Sequence, residues 1–329
     1  ELAVYAAGGS VVTAYPSDPA DRNGYVLYDS GVRIVIVENQ SQLDKLVTLA
    51  YTSISYAASE GRAERSCRLE FDHVISFEPV QVPRDFHFPV TPLSQILAAS
   101  LGTSSVWERS TLPGREDEAT ILYTSGTTGA PKGVVATHGQ HLANLTHCLR
   151  SGLTDNADSF LHVLPESHAF GLRMGHLTWL TGLEGKFSAI PDRRSSELTA
   201  EARTSYARDM ATANADVIPA VPRMLERMRD GVLKKVSAMP WFKRTLISKV
   251  LEASQHAYEQ VAKEGAGSLD QRPVYAAGAR VSNLLSPRIG AAIRQQLVGD
   301  RFKFFITGGA KLPPELAVFF GAIGMEPRE

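Results

Sequence analysis

The residues best suited to chemistry form one short loop. Residues 120–123, Thr-Ile-Leu-Tyr, have the pattern of a strand, and Thr-Ser-Gly-Thr-Thr-Gly-Ala-Pro-Lys-Gly-Val follows at 124–134. Glycines let backbone N–H groups approach phosphate oxygens, hydroxyls add neutral donors, and a lysine adds positive charge. Leu142, Leu145 and Leu149 then recur at helical spacing. The order strand, loop and helix predicts a phosphate-binding site, with a polar turn as the alternative.

This loop differs from the P-loop of kinases and GTPases. The P-loop pattern places a glycine directly before the lysine and a serine or threonine directly after it. Here Pro131 precedes Lys132 and Gly133 follows it. The sequence therefore argues against a protein of that class.

Four segments, in the same order, resemble motifs of the adenylate-forming superfamily, which includes acyl- and aryl-CoA synthetases, luciferases and peptide-synthetase adenylation domains. Residues 123–134 resemble its phosphate loop, and residues 164–170 resemble the motif whose histidine and aromatic residue flank the acyl site. Residues 221–223 resemble the Val-Pro-Arg that opens the next helix, and residues 304–310 resemble a strand and Gly-Gly-Ala turn that pack against adenine. The long helical stretch at 223–301 is similar to that of long-chain fatty acyl-CoA synthetases.

The resemblance implies roles for the loop residues. It makes Lys132 and Thr127 catalytic, and it makes Thr124 the loop residue nearest a metal ion. The residues that it assigns to the ATP phosphates are Thr124, Ser125, Gly126, Thr127, Thr128, Gly129 and Lys132.

The resemblance also implies an adenine and acyl pocket. It makes His168 catalytic, and the alternative for His168 is a hydrogen-bonded core histidine. The other pocket residues that it implies are Val221, Phe170, Gly308, Gly309 and Ala310. We expect these segments to meet in the fold, although they lie far apart in the sequence.

The reaction that the resemblance implies is the ATP-dependent activation of a fatty acid, with ATP, Mg²⁺ and CoA as cofactors and co-substrates. A carboxylic acid is already ionised at neutral pH, so it needs positioning and charge neutralisation rather than a general base. The acyl-adenylate would pass its acyl group to CoA and release AMP. The alternatives are an aryl or medium-chain acid, a carrier-protein thiol as acceptor, and a non-catalytic truncated remnant.

The elements that position these residues alternate between strands and helices, which predicts an α/β fold with parallel-type sheets covered by helices on both faces. By resemblance, residues 1–329 are an incomplete large N-terminal domain of the acyl-CoA synthetase fold, with a subdomain connection near 104–118. The superfamily's Tyr-Gly-x-Thr-Glu motif and C-terminal domain are absent from the sequence, so we expect this chain alone to be inactive. We also expect the strand at 302–307 to lack a neighbour and to expose part of one face.

The composition of the chain limits the kinds of binding partner and the cellular location that we expect. The net charge is −1, which points to neither nucleic acid nor an acidic partner. Two distant cysteines and the absence of a long apolar run suggest the cytoplasm. Residues 223–250 contain eight Lys or Arg against two acidic residues, with Trp241 and Phe242 among them. We interpret this segment as a solvated helical face, and the alternative is a peripheral membrane contact through 234–249.

Three histidines lie close together at His138, His141 and His147. Two of them share a helix face, but no cysteine or acidic residue completes a ligand set. The sequence therefore does not predict a metal site there.

Overall fold

The computed structural model describes residues 1–51, 54–56, 65–67, 69–100, 112–124, 131–187, 208–242, 244–245, 247–249, 252, 255–256 and 287–329. The chain divides into two compact units, one built mainly on Glu1–Asn144 and the other mainly on the residues from Leu145 onward. We call them unit 1 and unit 2. The subdomain connection predicted near 104–118 falls partly outside the described residues and stays a prediction.

In the described part of unit 1 the strands form three small sheets. Its elements are α1 (Leu2–Ala6), β1 (Val11–Thr13), α2 (Ala20–Asp29), β2 (Ile34–Val37), α3 (Gln40–Tyr51), β3 (Ile54–Tyr56), β4 (Arg65–Cys67), β5 (His73–Ser76), β6 (Val90–Pro92), α4 (Leu93–Ser100), β7 (Glu118–Thr124), β8 (Lys132–Thr137) and the start of α5 (His138–Arg150). The first sheet has the order β1-β7-β8, the second is the parallel sheet β2-β5-β6, and β3 pairs with β4.

The sheet β2-β5-β6 is covered on one face only within the described part of unit 1. Val35 and Val37 point into a core with Leu43 and Leu46 of α3. On the opposite face Ile34 is 54% exposed. The prediction that these strands are buried on both faces is therefore wrong for β2, because its β-branched run has one face toward α3 and one toward solvent.

Unit 2 is built on one five-stranded parallel sheet with the order β10-β9-β11-β12-β13. Its elements are the end of α5, β9 (Ser159–His162), α6 (Ala169–Thr181), β10 (Glu184–Phe187), β11 (Val217–Ala220), α7 (Pro222–Ser237), α8 (Pro287–Val298), β12 (Phe304–Thr307), α9 (Pro314–Ala322) and β13 (Glu326–Arg328). The strands β9, β11 and β12 are buried at every position, as expected of parallel strands between helical layers.

Helices cover both faces of this sheet. On one face Ile218 and Phe305 pack in a cluster with Leu225 of α7 and Leu316 of α9. On the other face Phe160, Val217 and Phe304 pack in a cluster with Leu145 of α5 and Leu177 of α6. The α/β fold with helices layered on a parallel sheet is confirmed.

Strand β12 has neighbours on both sides. It pairs with β11 through Val217 and Phe304, and with β13 through Phe304 and Glu326. Every residue of β12 is buried. The expectation that the strand at 302–307 lacks a neighbour is therefore wrong, because Glu326–Arg328 returns to pair beside it.

A buried carboxylate, Asp216, ties the starts of three strands together. It accepts hydrogen bonds from the backbone N–H groups of Asp158 and Ser159, both at 2.9 Å, and from the Ser159 hydroxyl at 3.0 Å. It also forms ion pairs with Arg301 at 3.2 Å and Lys303 at 3.4 Å. Ser159 starts β9, Asp216 directly precedes β11, and Lys303 directly precedes β12, so one carboxylate joins all three.

These contacts make the stability contributed by Asp216 depend on pH. Burial raises the pKa of Asp216, but the hydrogen bonds from Asp158 and Ser159 and the charge of Lys303 outweigh burial and leave the pKa below its ordinary value. A depressed folded-state pKa stabilises the folded state above the unfolded pKa, which is about 3.9. That stabilisation is lost as the pH falls through the folded pKa.

We predict that Asp216→Asn lowers the free energy of unfolding by about 1–3 kcal/mol at neutral pH, because a neutral amide weakens the ion pairs and cannot accept the same hydrogen bonds. Urea unfolding at several pH values measures this. Acidification below about pH 4 should destabilise the variant less than the wild type.

Asp230→Asn is the matched control, because Asp230 pairs with Arg229 at 3.1 Å while its own side chain is 65% exposed. It should change stability by no more than about 0.5 kcal/mol. Equal effects of the two substitutions would contradict the role given to Asp216.

Candidate functional site

The predicted phosphate loop connects two paired strands in the sequence. Strand β7 ends at Thr124, strand β8 begins at Lys132, and the two strands pair antiparallel. Helix α5 starts only at His138. The predicted order of strand, loop and helix is therefore wrong in one respect, because Lys132–Thr137 forms a strand beside β7 before the helix begins.

Thr124 and Lys132 lie at the base of this loop. They end β7 and begin β8, and they are direct partners in the hairpin. Both side chains are exposed to solvent. The loop residues assigned to the phosphates by resemblance, Ser125, Gly126, Thr127, Thr128 and Gly129, lie outside the described residues.

Helix α5 is fixed to the hairpin by polar contacts. The Thr137 hydroxyl accepts from the Gln140 N–H at 3.2 Å, and the Gln140 side chain accepts from the Thr137 N–H at 3.0 Å, which is a reciprocal helix cap. The buried His141 Nε2 lies 2.8 Å from the Thr120 hydroxyl of β7. His141 thus joins the helix to the strand. Of the leucines predicted to share a helix face, Leu145 is buried, whereas Leu142 and Leu149 are 42% and 39% exposed.

The three histidines of the sequence analysis, His138, His141 and His147, all lie on α5. Across the described ranges, no three His, Cys, Asp or Glu side chains come together in a way that could hold an ion.

The second candidate site lies at the carboxyl edge of the sheet in unit 2. Val221 directly follows β11, and Gly308 directly follows β12. His168 comes after β9 and caps α6. The carboxyl ends of parallel strands are where α/β proteins usually bind ligands, so this edge is the expected place for a pocket.

The residues around the Gly308-Gly309 turn come from three separate segments. A Cβ on Gly308 would lie 3.1 Å from the Phe170 ring, so the ring packs directly on that glycine. Gly309 has a φ of +81°, and a Cβ there would lie 3.8 Å from His168 and 3.9 Å from Val221. The structure therefore brings His168, Phe170 and Val221 around the Gly-Gly turn. Their roles in binding remain predictions.

The exposed side of this turn is open to solvent. His168, Gly309 and Ala310 are all exposed, while Phe170 and Val221 are partly buried. The His168 Nδ1 accepts from the backbone N–H of Phe170 at 3.2 Å. In a neutral imidazole the proton then lies on Nε2, which can donate to an acceptor. His168 is not buried, so the alternative of a core histidine is wrong.

Sequence reasoning missed Gly171, which allows α6 to begin where it does. A Cβ on Gly171 would lie 2.1 Å from the carbonyl oxygen of Pro165, which no side chain can tolerate. The Leu172 N–H bonds to the His168 carbonyl at 3.0 Å, so this close turn sets the position of His168. A glycine in the first turn of an apolar helix was the available signal, since glycine disfavours helix interiors.

We predict that Gly171→Ala destabilises the protein by at least about 1–3 kcal/mol, because the new methyl group must displace the Pro165 backbone. Thermal or urea unfolding measures this. Gly231→Ala is the control, because a Cβ at this helical position meets nothing within 4 Å. That change should stabilise the protein by about 0.5–1 kcal/mol. Destabilisation by Gly231→Ala without destabilisation by Gly171→Ala would contradict the clash assigned to Gly171.

The described residues thus contain a parallel α/β unit whose candidate residues meet at its carboxyl edge, and a pair of antiparallel strands that begins again at Lys132. The sequence matches the AMP-binding enzyme family over residues 1–327, so the chain belongs to that family.

Individual relatives agree with this assignment. The chain is 29% identical over 208 residues to long chain acyl-CoA synthetase 8 of Arabidopsis thaliana, covering 62% of this chain and 26% of that protein. It is 27% identical over 245 residues to the chloroplastic long-chain-fatty-acid–[acyl-carrier-protein] ligase AEE15 of the same plant, covering 70% and 32%. The chain thus spans about a quarter to a third of the length of these relatives.

A solved structure supports the fold. The N-terminal domain of FACL13 from Mycobacterium tuberculosis superposes with a TM-score of 0.52 at 18% identity, covering 98% of this chain and 56% of that one. At this identity the likeness shows the fold alone.

Proposed function

We propose that the protein activates a fatty acid with ATP to an acyl-adenylate and then transfers the acyl group to CoA, releasing pyrophosphate and AMP. The observation that carries the proposal is the direct pairing of Thr124 with Lys132 at the base of the glycine- and hydroxyl-rich loop, in a chain of the AMP-binding enzyme family. Both similar plant proteins are named as ligases of long-chain acids. We propose long-chain acids as the substrate class of this protein as well.

The hairpin supplies what the first step needs. The acid carboxylate is already a nucleophile, so the barrier lies in bringing two anions together and in stabilising charge on the departing pyrophosphate. Lys132 is exposed beside the loop and brings a positive charge to that place. The loop hydroxyls and N–H groups, including those of Thr127, are proposed to add neutral donors.

Mg²⁺ fits this site. Magnesium usually takes one or two protein oxygens and fills its other positions with water and phosphate oxygens. The exposed Thr124 hydroxyl, at the end of β7, is a ligand of this kind. When bound, the ion would neutralise negative charge on the phosphate oxygens.

The turn at the carboxyl edge of unit 2 is the proposed acyl and adenine pocket. Phe170 and Val221 offer apolar surface, and the Gly308-Gly309-Ala310 backbone is free of bulky side chains. His168 Nε2 is a donor suited to an oxygen of the acid or its adenylate. We assign the pocket to these residues because they meet there from three separate segments.

We predict that Lys132→Ala slows adenylate formation by about 10- to 1000-fold, the cost of one preorganised charge-stabilising group. ATP–pyrophosphate exchange should be measured with the protein as its complete gene encodes it, using palmitate as the acid. Fatty-acid binding should change little, because Lys132 lies at the phosphate loop.

The control is Arg84→Ala, which removes an exposed positive charge elsewhere in unit 1 and should leave the exchange rate unchanged. An unchanged rate in Lys132→Ala would remove the phosphate role from Lys132. Absence of exchange by the wild type with every acid of a long-chain, medium-chain and aryl panel would favour a non-catalytic protein. Replacing CoA with acyl carrier protein tests the other acceptor.

We further propose that unit 2 contacts a membrane surface through 234–249. Trp241 is 73% exposed and Phe242 is 54% exposed, and their rings lie edge to face with centroids 6.2 Å apart. Lys234, Lys235 and Arg244 are exposed close to them in sequence. Residues 231–251 contain no Asp or Glu, so the charge of this segment is wholly basic. Exposed aromatic rings with lysines and arginines suit an anionic lipid surface.

Within the described residues, no helix has the length and the apolar character needed to span a bilayer. The contact proposed through 234–249 is peripheral. The cytoplasmic location expected from the sequence is likewise a proposal.

We predict that the protein binds vesicles containing phosphatidylserine more strongly than neutral phosphatidylcholine vesicles. The double substitution Trp241→Ala with Phe242→Ala should weaken this binding at least fivefold in a sedimentation assay, because the aromatic area buried in the membrane is lost. Trp179→Ala is the control, because Trp179 is 69% exposed on α6 but residues 174–185 carry no Lys or Arg. Equal binding to the two kinds of vesicle would contradict the proposed membrane contact and would favour the alternative that this segment is a solvated helical face.

A further inference from the structure

Tyr123 lies next to the pair of residues, Thr124 and Lys132, that flanks the predicted phosphate loop. It directly precedes Thr124, and its partner across the hairpin is Gly133, which directly follows Lys132. Side chains alternate between the two faces of a strand, so Tyr123 lies on the face opposite to Thr124 and Lys132. It can therefore hold the hairpin without obstructing the ligand side.

Gly133 provides the space for the tyrosine ring. A Cβ at this position would lie 3.1 Å from the ring carbon Cζ of Tyr123 and 3.2 Å from its hydroxyl oxygen. The ring therefore lies across the backbone of β8 at the first residue after Lys132. Any side chain at 133 would push the ring away.

Two residues of helix α2 also contact the Tyr123 side chain. The Tyr123 hydroxyl donates to Asp29 Oδ2 at 2.7 Å. The ring of Tyr25, one turn earlier in α2, meets the Tyr123 ring edge to face with centroids 6.2 Å apart. Burial, and then the hydrogen bond to Asp29, raise the pKa of Tyr123, so the phenol keeps its proton and stays a donor.

The position of Asp29 is unfavourable for the helix itself. Asp29 is the last residue of α2, and a negative charge at a helix C-terminus opposes the helix dipole. A hydrogen bond to a charged acceptor is stronger than this unfavourable interaction and offsets it. The contact with Tyr123 thus accounts for an acidic residue where a basic or neutral one would suit the helix better.

The backbone pairing of β7 with β1 ends just before Tyr123. The ladder between β1 and β7 runs from Val11 with Thr120 to Thr13 with Leu122. At Tyr123 the side-chain contact with Asp29 continues the attachment of β7 to the rest of unit 1, one residue beyond the ladder.

We propose that Asp29 and Tyr123 are a positioning pair for the phosphate loop, which keeps Thr124 and Lys132 in register for the phosphates of ATP. This inference rests on the proposed function, since it concerns the same nucleotide site. Neither residue touches the reacting atoms in the proposal, because both act through the backbone of the hairpin.

The test compares Tyr123→Phe, Asp29→Ala and Asp29→Asn in the protein as its complete gene encodes it. Tyr123→Phe keeps the ring on Gly133 and removes only the hydroxyl. We expect Tyr123→Phe and Asp29→Ala each to raise the dissociation constant for ATP about three- to tenfold, the worth of one hydrogen bond, and to speed amide hydrogen exchange at 121–124 and 132–135. Asp29→Asn keeps an acceptor and should restore most of the affinity.

Two further measurements separate positioning from general stability. The affinity for palmitate should stay within about twofold. The double variant Tyr123→Phe with Asp29→Ala should bind ATP no more weakly than Asp29→Ala alone, because Asp29→Ala already removes the acceptor of the Tyr123 hydroxyl. Asp29 also interacts with the Tyr25 side chain, so Asp29→Ala removes more than the contact with Tyr123. Tyr28→Phe is the control, since Tyr28 is 45% exposed on the same helix and should change neither ATP affinity nor exchange.

Because ATP binding is measured directly, the outcome does not depend on turnover. A wild type that binds ATP but forms no adenylate would sink the proposed function and leave the pair to be judged by affinity and exchange. Unchanged ATP affinity in Tyr123→Phe would overturn the positioning role, even if hydrogen exchange became faster. A wild type with no affinity for ATP would overturn both proposals.

Discussion

One buried carboxylate sets the geometry on which the candidate pocket depends. Asp216 joins the starts of β9, β11 and β12 through hydrogen bonds to Ser159 and an ion pair with Lys303. Each of these strands is four residues long, and they run parallel. The register aligns β11 with β12 residue for residue, and β9 begins and ends one residue before β11, so the three strands end close together. The segments that carry the candidate pocket residues therefore leave the sheet at one edge, and a contact on the opposite edge determines where they meet.

The two candidate sites share a second constraint, which is close backbone approach at glycine. Gly133 makes room for the Tyr123 ring, Gly308 for the Phe170 ring, and Gly171 for the carbonyl of Pro165. In each case the missing side chain lets a neighbouring group lie where a Cβ would clash. The glycines thus place aromatic and polar side chains, in addition to any direct role beside a nucleotide.

Much of the fold could be predicted from local pattern. The strand expected at 120–123 lies within β7, Glu118–Thr124, and the strand expected at 302–307 contains β12, Phe304–Thr307. The prediction failed for strands that form only against a neighbouring strand. β8 was missed because Lys132–Thr137 becomes a strand only beside β7, and β12 was given a free edge because the partner Glu326–Arg328 is too short to show a strand pattern.

The sequence by itself determined the class of protein, because a phosphate loop needs particular residue types in consecutive order and that order is visible without a fold. It also named His168 and Val221. Only the tertiary structure brought those two to Gly309, and only it showed that Asp29 holds Tyr123. The physical reason is that these contacts join residues far apart in the chain. Their geometry depends on strand register and on packing against glycine, which no local pattern encodes.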